Sequence, residues 1–177
     1  ARRQRTGRAQ RAVTGRPTMI RLLIVDDSAL MRRHLQQLFE EEGDFIVELA
    51  RNGREAIEQA RRFDPDVISL DINMPEIDGL TCLSMLMVEQ PRPVVMFSSL
   101  TEQGAMASLE ALALGAVDFF AKPGGTISLS IDQVRDTLVA KVRAAAGARL
   151  KMAKPRTAPV AEPAPQVEMP ALGAPVQ

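Results

Sequence analysis

Four segment ends carry the residues able to do chemistry in this chain. The apolar run Val67-Ile68-Ser69-Leu70 stops at Asp71, and Pro75 and Gly79 set a loop just beyond it. A second run, Leu22-Leu23-Ile24-Val25, stops at Asp26-Asp27. Val94–Phe97 ends at Ser98, and Val117–Ala121 ends at Lys122. A single Asp after an apolar run is a common turn residue and carries little weight. Two acidic ends change the reading. If both runs are parallel strands of one sheet, three carboxylates, a hydroxyl and an amine converge on one rim. Three close carboxylates repel one another, so a cation sits among them or at least one pKa rises. An all-oxygen donor set suits a hard divalent ion such as Mg2+, which keeps waters and open positions. A phosphoryl group can fill such a position, with Ser98 and Lys122 holding its other oxygens. A carboxylate that attacks phosphorus forms an acyl phosphate. The protein's task in that reaction is mostly positioning and charge neutralisation.

The remaining pattern supplies the elements that must position these groups. Ile20–Val25 is a continuous apolar run of the kind buried on both faces. Ser28 caps a helix in which Leu30, Met31, Leu35, Leu38 and Phe39 recur at helical spacing, and Gly43 stops it. Phe45–Leu49 is a second strand; after the Asn52-Gly53 turn, Ala56, Ile57, Ala60 and Phe63 line one helix face. Pro65 precedes the third strand, which ends at Asp71. A helix from about Asp78 to Glu89 follows, its Met and Leu side chains read as core. Pro91 and Pro93 frame a break before the fourth strand, and Thr101 caps a helix running through Leu114 to Gly115. After Lys122-Pro123 and Gly124-Gly125, a fifth helix keeps Ile131, Val134, Leu138, Val142 and Ala145 on one face. Strand and helix alternate five times, which predicts an α/β fold with a parallel sheet and helices on both faces. In such folds the binding crevice lies beyond the carboxyl ends of the strands, where strand order reverses.

At 177 residues the chain fits one domain with tails, and its zero net charge is unevenly placed. Residues 1–16 carry six Arg and no acid, whereas residues 17–150 hold 13 basic against 20 acidic side chains. An acidic domain is not built to bind nucleic acid along its surface. Residues 1–18 lack apolar periodicity and are expected to be disordered. A nucleic-acid-binding arm, a transit-like peptide and an extension unrelated to function compete there; the extension is favoured because Met19 stands where a compact domain would begin. The domain is expected over 19–146, with a Pro/Ala-rich linker or tail over 147–177. The one cysteine, Cys82, reads as a small buried apolar residue; it cannot form an internal disulfide, which points to a reducing, cytoplasmic setting. The one histidine, His34, falls on what reads as the wet face of the first helix, with no second ligand type near it. No apolar run is long enough to span a membrane, and the Arg-rich start lacks the apolar core of a secretory signal.

These residues resemble the receiver domain of two-component response regulators over roughly residues 19–146. The resemblance implies a flavodoxin-like (βα)5 fold with Asp71 as phosphoacceptor. It implies Mg2+ held by Asp26, Asp27, Asp71 and the backbone carbonyl of Asn73. Ser98 takes the place of the switch hydroxyl, Lys122 pairs with the phosphoryl group, and Lys122-Pro123 fits the family's usual cis peptide. Phe119 occupies the aromatic switch position, where many relatives have Tyr. Two longer segments, Pro93 to Glu102 and Leu112 to Pro123, resemble the receiver of the chemotaxis protein-glutamate methylesterases. In that family a linker and an esterase domain with a Ser-His-Asp triad follow. Residues 151–177 contain no Ser, His or Asp, so they supply no triad. The chain therefore resembles the regulatory half, either as a fragment or as a short member. A histidine kinase is the implied phosphodonor partner; chemoreceptors and a methylesterase domain are the further partners. A stand-alone receiver docking through its fourth helix, fifth strand and fifth helix is the alternative. A metal-dependent phosphatase with an Asp nucleophile is disfavoured, because Asn73 occupies the position where such enzymes place a second Asp.

Overall fold

The structure is a computed structural model that describes residues 19–122 and 127–148, without the side chains of 127–133. Expectations for residues 1–18, for the Lys122-Pro123 peptide and Gly124-Gly125, for the Ile131 side chain and for the tail beyond Ala148 lie outside the described residues. In chain order the elements are β1 (Ile20–Val25), α1 (Ala29–Glu42), β2 (Phe45–Ala50), α2 (Gly53–Phe63) and β3 (Val67–Asp71), followed by α3 (Gly79–Glu89), β4 (Val94–Ser98), α4 (Glu102–Leu114), β5 (Asp118–Ala121) and α5 (Ile127–Ala146). All strands are parallel, in the order β2-β1-β3-β4-β5. Order reverses at β1, so the crevice rule points to the ends of β1 and β3.

Local sequence explains the boundaries. Ser28, Asn52, Asp78 and Thr101 each accept a backbone N–H of the first turn of α1, α2, α3 and α4 respectively. Gly43 and Gly115 close α1 and α4 in the left-handed conformation, at φ 77° and 112°. Strand alternation then sorts two cores. Leu23, Val25, Ile68, Leu70, Val94 and Met96 pack against α2, α3 and α4 through residues such as Ala56, Leu83 and Ala111. Leu22, Ile24, Val67, Val95, Phe97 and Phe120 pack on the other face against Leu35 and Phe39 of α1 and Leu138 and Val142 of α5. Arg135 and Arg143 of α5 bind Glu41, Glu42 and Asp44 at the end of α1, at 2.8–2.9 Å. These partners hold the carboxyls of Glu41, Glu42 and Asp44 below their usual range.

Five details differ from the sequence reading. β2 extends to Ala50, whose carbonyl accepts the Asp26 N–H, and β5 begins at Asp118 rather than Val117. Leu30 is exposed: the buried stripe of α1 follows Met31, Leu35, Leu38 and Phe39, and Leu30 falls beside it. In α3 the core takes Cys82, Leu83 and Leu86, while Met85 turns outward. His34 is half-buried rather than wet, at the edge of a recess lined by Gln37, Leu38, Glu41 and Arg135. Cys82 is fully buried, and burial pushes its thiol pKa up to about 12, as an inert core residue requires.

Candidate functional site

Period-two alternation aims the reactive side chains. Leu22 and Ile24 face α1 and α5, so Asp26 continues their row; Val67 precedes Asp71 on the same parity, and Phe120 precedes Lys122. The two acids and the amine thus project from one side of the sheet at its carboxyl edge. Lys122 Nζ donates to Asp26 Oδ2 at 2.8 Å and lies 2.9 Å from Asp71 Oδ1. The second approach is an ion pair; among the described residues no donor meets Asp71 Oδ1 in full hydrogen-bond alignment. Asp26 and Asp71 are 1% and 3% exposed, while Asp27 is open to solvent. One carboxylate oxygen from each of Asp26, Asp27 and Asp71 lies within 4.8 Å of the others.

Each acid is held from several sides. Ser28 N–H donates to Asp26 Oδ1 at 2.8 Å, and Arg32 Nη1 donates to the Asp26 carbonyl at 2.6 Å. Asp71 is fixed through its backbone by α3. A Cβ on Gly79 would stand 2.1 Å from the Asp71 carbonyl oxygen, so only glycine lets the helix start this close. The loop between them includes Glu76 at φ 66°, in the left-handed region, with Ile77 N–H bonded to the Pro75 carbonyl at 2.8 Å. Burial pushes the Asp71 carboxyl up to about 6, against the pull of Lys122 and with a further push from Asp26. Burial also opposes the Lys122 ammonium, but Asp71 and Asp26 outweigh it and hold its pKa above the usual range. The site therefore carries a secure cation and a carboxyl that charges reluctantly.

Ser98 and Phe119 have the opposite parity. Ser98 follows Met96 toward α4 and is 2% exposed, and Phe119, the partner of Met96 across the ladder, is partly exposed. Lys141 Nζ lies 5.8 Å from the Phe119 ring centre and 2.6 Å from Asp118 Oδ2. Asn73 is exposed two residues past Asp71, and its backbone N–H favours the charged Asp71 carboxylate. All the residues expected at the site thus lie at one edge of the sheet, but in two rows: Asp26, Asp71 and Lys122 on one face, Ser98 and Phe119 on the other. Sequence reasoning missed Arg32, Gly104 and Ser108, and it read Gly79 as a loop residue without its close approach to Asp71. Gly104 and Ser108 had a signal, since with Ala111 they are small residues at helical spacing and form the buried stripe of α4.

The sequence profile of the response regulator receiver domain matches residues 22–131. The chain is 60% identical over 133 residues to protein-glutamate methylesterase/protein-glutamine glutaminase 2 of Rhodopseudomonas palustris, covering 75% of this chain and 36% of that protein. It is 62% identical over 133 residues to protein-glutamate methylesterase/protein-glutamine glutaminase 3 of Rhodospirillum rubrum, with the same coverage of 75% and 36%. It thus spans little more than a third of the length of these curated relatives. The crystal structure of the response regulator domain of Thermotoga maritima CheB superposes with a TM-score of 0.69 at 45% identity, covering 74% of this chain and 98% of that one. The parallel order β2-β1-β3-β4-β5, the acids at its reversal point and these matches lead to one conclusion: the chain belongs to the response regulator receiver domain family, and it matches the regulatory part of the CheB methylesterases.

Proposed function

We propose that Asp71 is the phosphoacceptor of a phosphorylation switch, charged by the histidine kinase of a chemotaxis-type two-component system. The observation that carries this reading is a nearly buried Asp71 that shares one lysine with Asp26 and stands within reach of the exposed Asp27. An Asp71 carboxylate oxygen attacks phosphorus, the bond from phosphorus to the donor's imidazole nitrogen breaks, and that nitrogen keeps the electron pair. Lys122 is placed to bind a phosphoryl oxygen next to Asp71. The donor set fits Mg2+: three carboxylates within 4.8 Å, two buried and one open to water, offer only hard oxygen ligands. Asp26, Asp27, Asp71 and the Asn73 carbonyl would hold it. Once bound, Mg2+ would neutralise charge on the acids and on the incoming phosphoryl oxygens.

On this reading Ser98 is the hydroxyl that turns to the phosphoryl group, and Phe119 is the aromatic residue that follows it. Leu100, Met106, Leu109 and Phe119 expose apolar surface around α4 and β5. The relatives' greater length suits a methylesterase domain as the occupant of that face, which phosphorylation would uncover. Chemoreceptors would then be the substrates of the whole protein, in the cytoplasm. No described helix is long and apolar enough to cross a membrane. A stand-alone receiver would use the same apolar face to dock a separate protein, and binding of a methylesterase domain supplied in trans separates the two. Intact mass after incubation with Mg2+ and acetyl phosphate tests the chemistry. One added phosphoryl group, lost with EDTA and in Asp71→Asn, supports it. No gain in a folded protein that binds Mg2+ contradicts it.

A further inference from the structure

Ser108 is a buried polar residue in the middle of α4, 1% exposed. Its Oγ lies 3.0 Å from Ser98 Oγ and 2.8 Å from the Gly104 carbonyl oxygen. A hydroxyl has one proton, and a carbonyl can only accept. The geometry makes Ser108 the donor to both, so its one proton is shared between Ser98 Oγ and the Gly104 carbonyl. Close approach of α4 makes this contact possible. Gly104 stands against β4's end so tightly that a Cβ there would lie 2.2 Å from the Ser99 carbonyl oxygen. One helical turn later, Ser108 meets Ser98. The parity of β4 also directs Ser98 to this face, away from the row that carries Asp26, Asp71 and Lys122.

We infer that Ser108 is a positioning residue that holds the Ser98 hydroxyl against α4 and so sets the threshold for phosphoryl binding at Asp71. This rests on the reading of Asp71 as phosphoacceptor and Ser98 as its hydroxyl ligand. To reach a phosphoryl group, Ser98 must leave Ser108. With Ser98 in place the Ser108 proton is shared between Ser98 and Gly104, and when Ser98 leaves it serves Gly104 alone; the Ser98–Ser108 contact exists in one state only and opposes the switch. Losing it couples the chemistry at Asp71 to α4 through a single hydroxyl.

The test uses the whole chain with Mg2+ and beryllofluoride, a stable phosphoryl mimic. Ser108→Ala removes the partner, and Ser108→Cys replaces it with a weak donor of similar size. Side-chain Hα–Hβ couplings of Ser98 report its rotamer before any ligand is added. They are expected to show one rotamer in the wild type and averaging in both variants. Beryllofluoride is then expected to bind about 2- to 10-fold more tightly in the variants, the equivalent of one buried neutral hydrogen bond. The gain is expected to vanish in a Ser98→Ala background, which a packing effect of Ser108 would not do. Unchanged Ser98 couplings, unchanged affinity, or a gain that survives Ser98→Ala each overturn the proposal while wild-type binding leaves the Asp71 reading intact. A folded, Mg2+-binding wild type that takes no beryllofluoride overturns both.

Discussion

At the scale of single residues the site is an electrostatic compromise. Lys122 compensates two buried carboxylates, and they in turn hold its pKa above the usual range against the cost of burial. Lys122→Met leaves Asp26 and Asp71 without a cation and is expected to cost about 2–4 kcal/mol of stability, below the range for fully buried pairs because the amine is 22% exposed. Urea unfolding without metal measures it, and added Mg2+ should restore part of the loss. Asp71 gives a pH signature. Its carboxyl rises from 3.8 to about 6 on folding, chiefly through burial. Between those values the folded chain keeps a proton that the unfolded chain has lost, so this group's contribution to stability falls as pH rises and is flat above the window. The difference corresponds to about 3 kcal/mol at neutral pH. Asp71→Asn should therefore be more stable than the wild type at pH 8 without metal, and the gap should close by pH 4. A gap independent of pH would contradict the assignment. The residue types were legible in the sequence because each ends an apolar run. The pairing of one lysine with two acids was not, because it depends on strand order as well as on strand ends.

At the scale of elements, two glycines place helices against the site. Gly79→Ala would drive a Cβ into the Asp71 carbonyl. The expected cost is at least about 1–3 kcal/mol, since backbone must move to relieve the overlap. Phosphorylation should slow along with it. Gly43→Ala is a contrast: nothing lies within 4 Å of the added Cβ, and only the left-handed φ of 77° is strained. It should cost about 1 kcal/mol and leave site chemistry unchanged. Thermal melts and acetyl phosphate kinetics separate the two effects. The caps at Ser28 and Thr101 were readable because short polar side chains before apolar periodic segments have one favoured use, whereas Asn52 was read only as a turn residue and Asp78 only as the start of α3. Leu30 and Met85 were misread because α1 and α3 carry more apolar residues than one face can bury. The close approaches at Gly79 and Gly104 left no sequence signal of distance.

At the scale of the molecule, the two faces of the sheet divide the work. The α1/α5 side supplies Asp26, Asp71 and Lys122, and the α4 side supplies Ser98, Ser108 and Phe119. Alternation along parallel strands fixes that division, so the fold was legible from five repeats of strand and helix. The α4–β5–α5 face was expected as a docking surface from the resemblance, but which side chains of α4 it exposes was not legible, because α4 is apolar on nearly every side. Met106→Glu with Leu109→Glu alters two side chains that are 67% and 60% exposed. The pair should leave stability within about 0.5 kcal/mol per site and leave acetyl phosphate uptake unchanged. It should lower affinity for a CheB-type catalytic domain added in trans, as calorimetry would register.

The most direct test of the central assignment is to locate the phosphoryl group in the chain. Phosphorylated protein is reduced with borohydride, which converts an aspartyl phosphate to homoserine, and the peptides are sequenced by mass spectrometry. The expected result is homoserine at position 71 alone, dependent on Mg2+. Homoserine at position 26 or 27 with Asp71 intact, or none in a folded Mg2+-bound protein, would contradict the account.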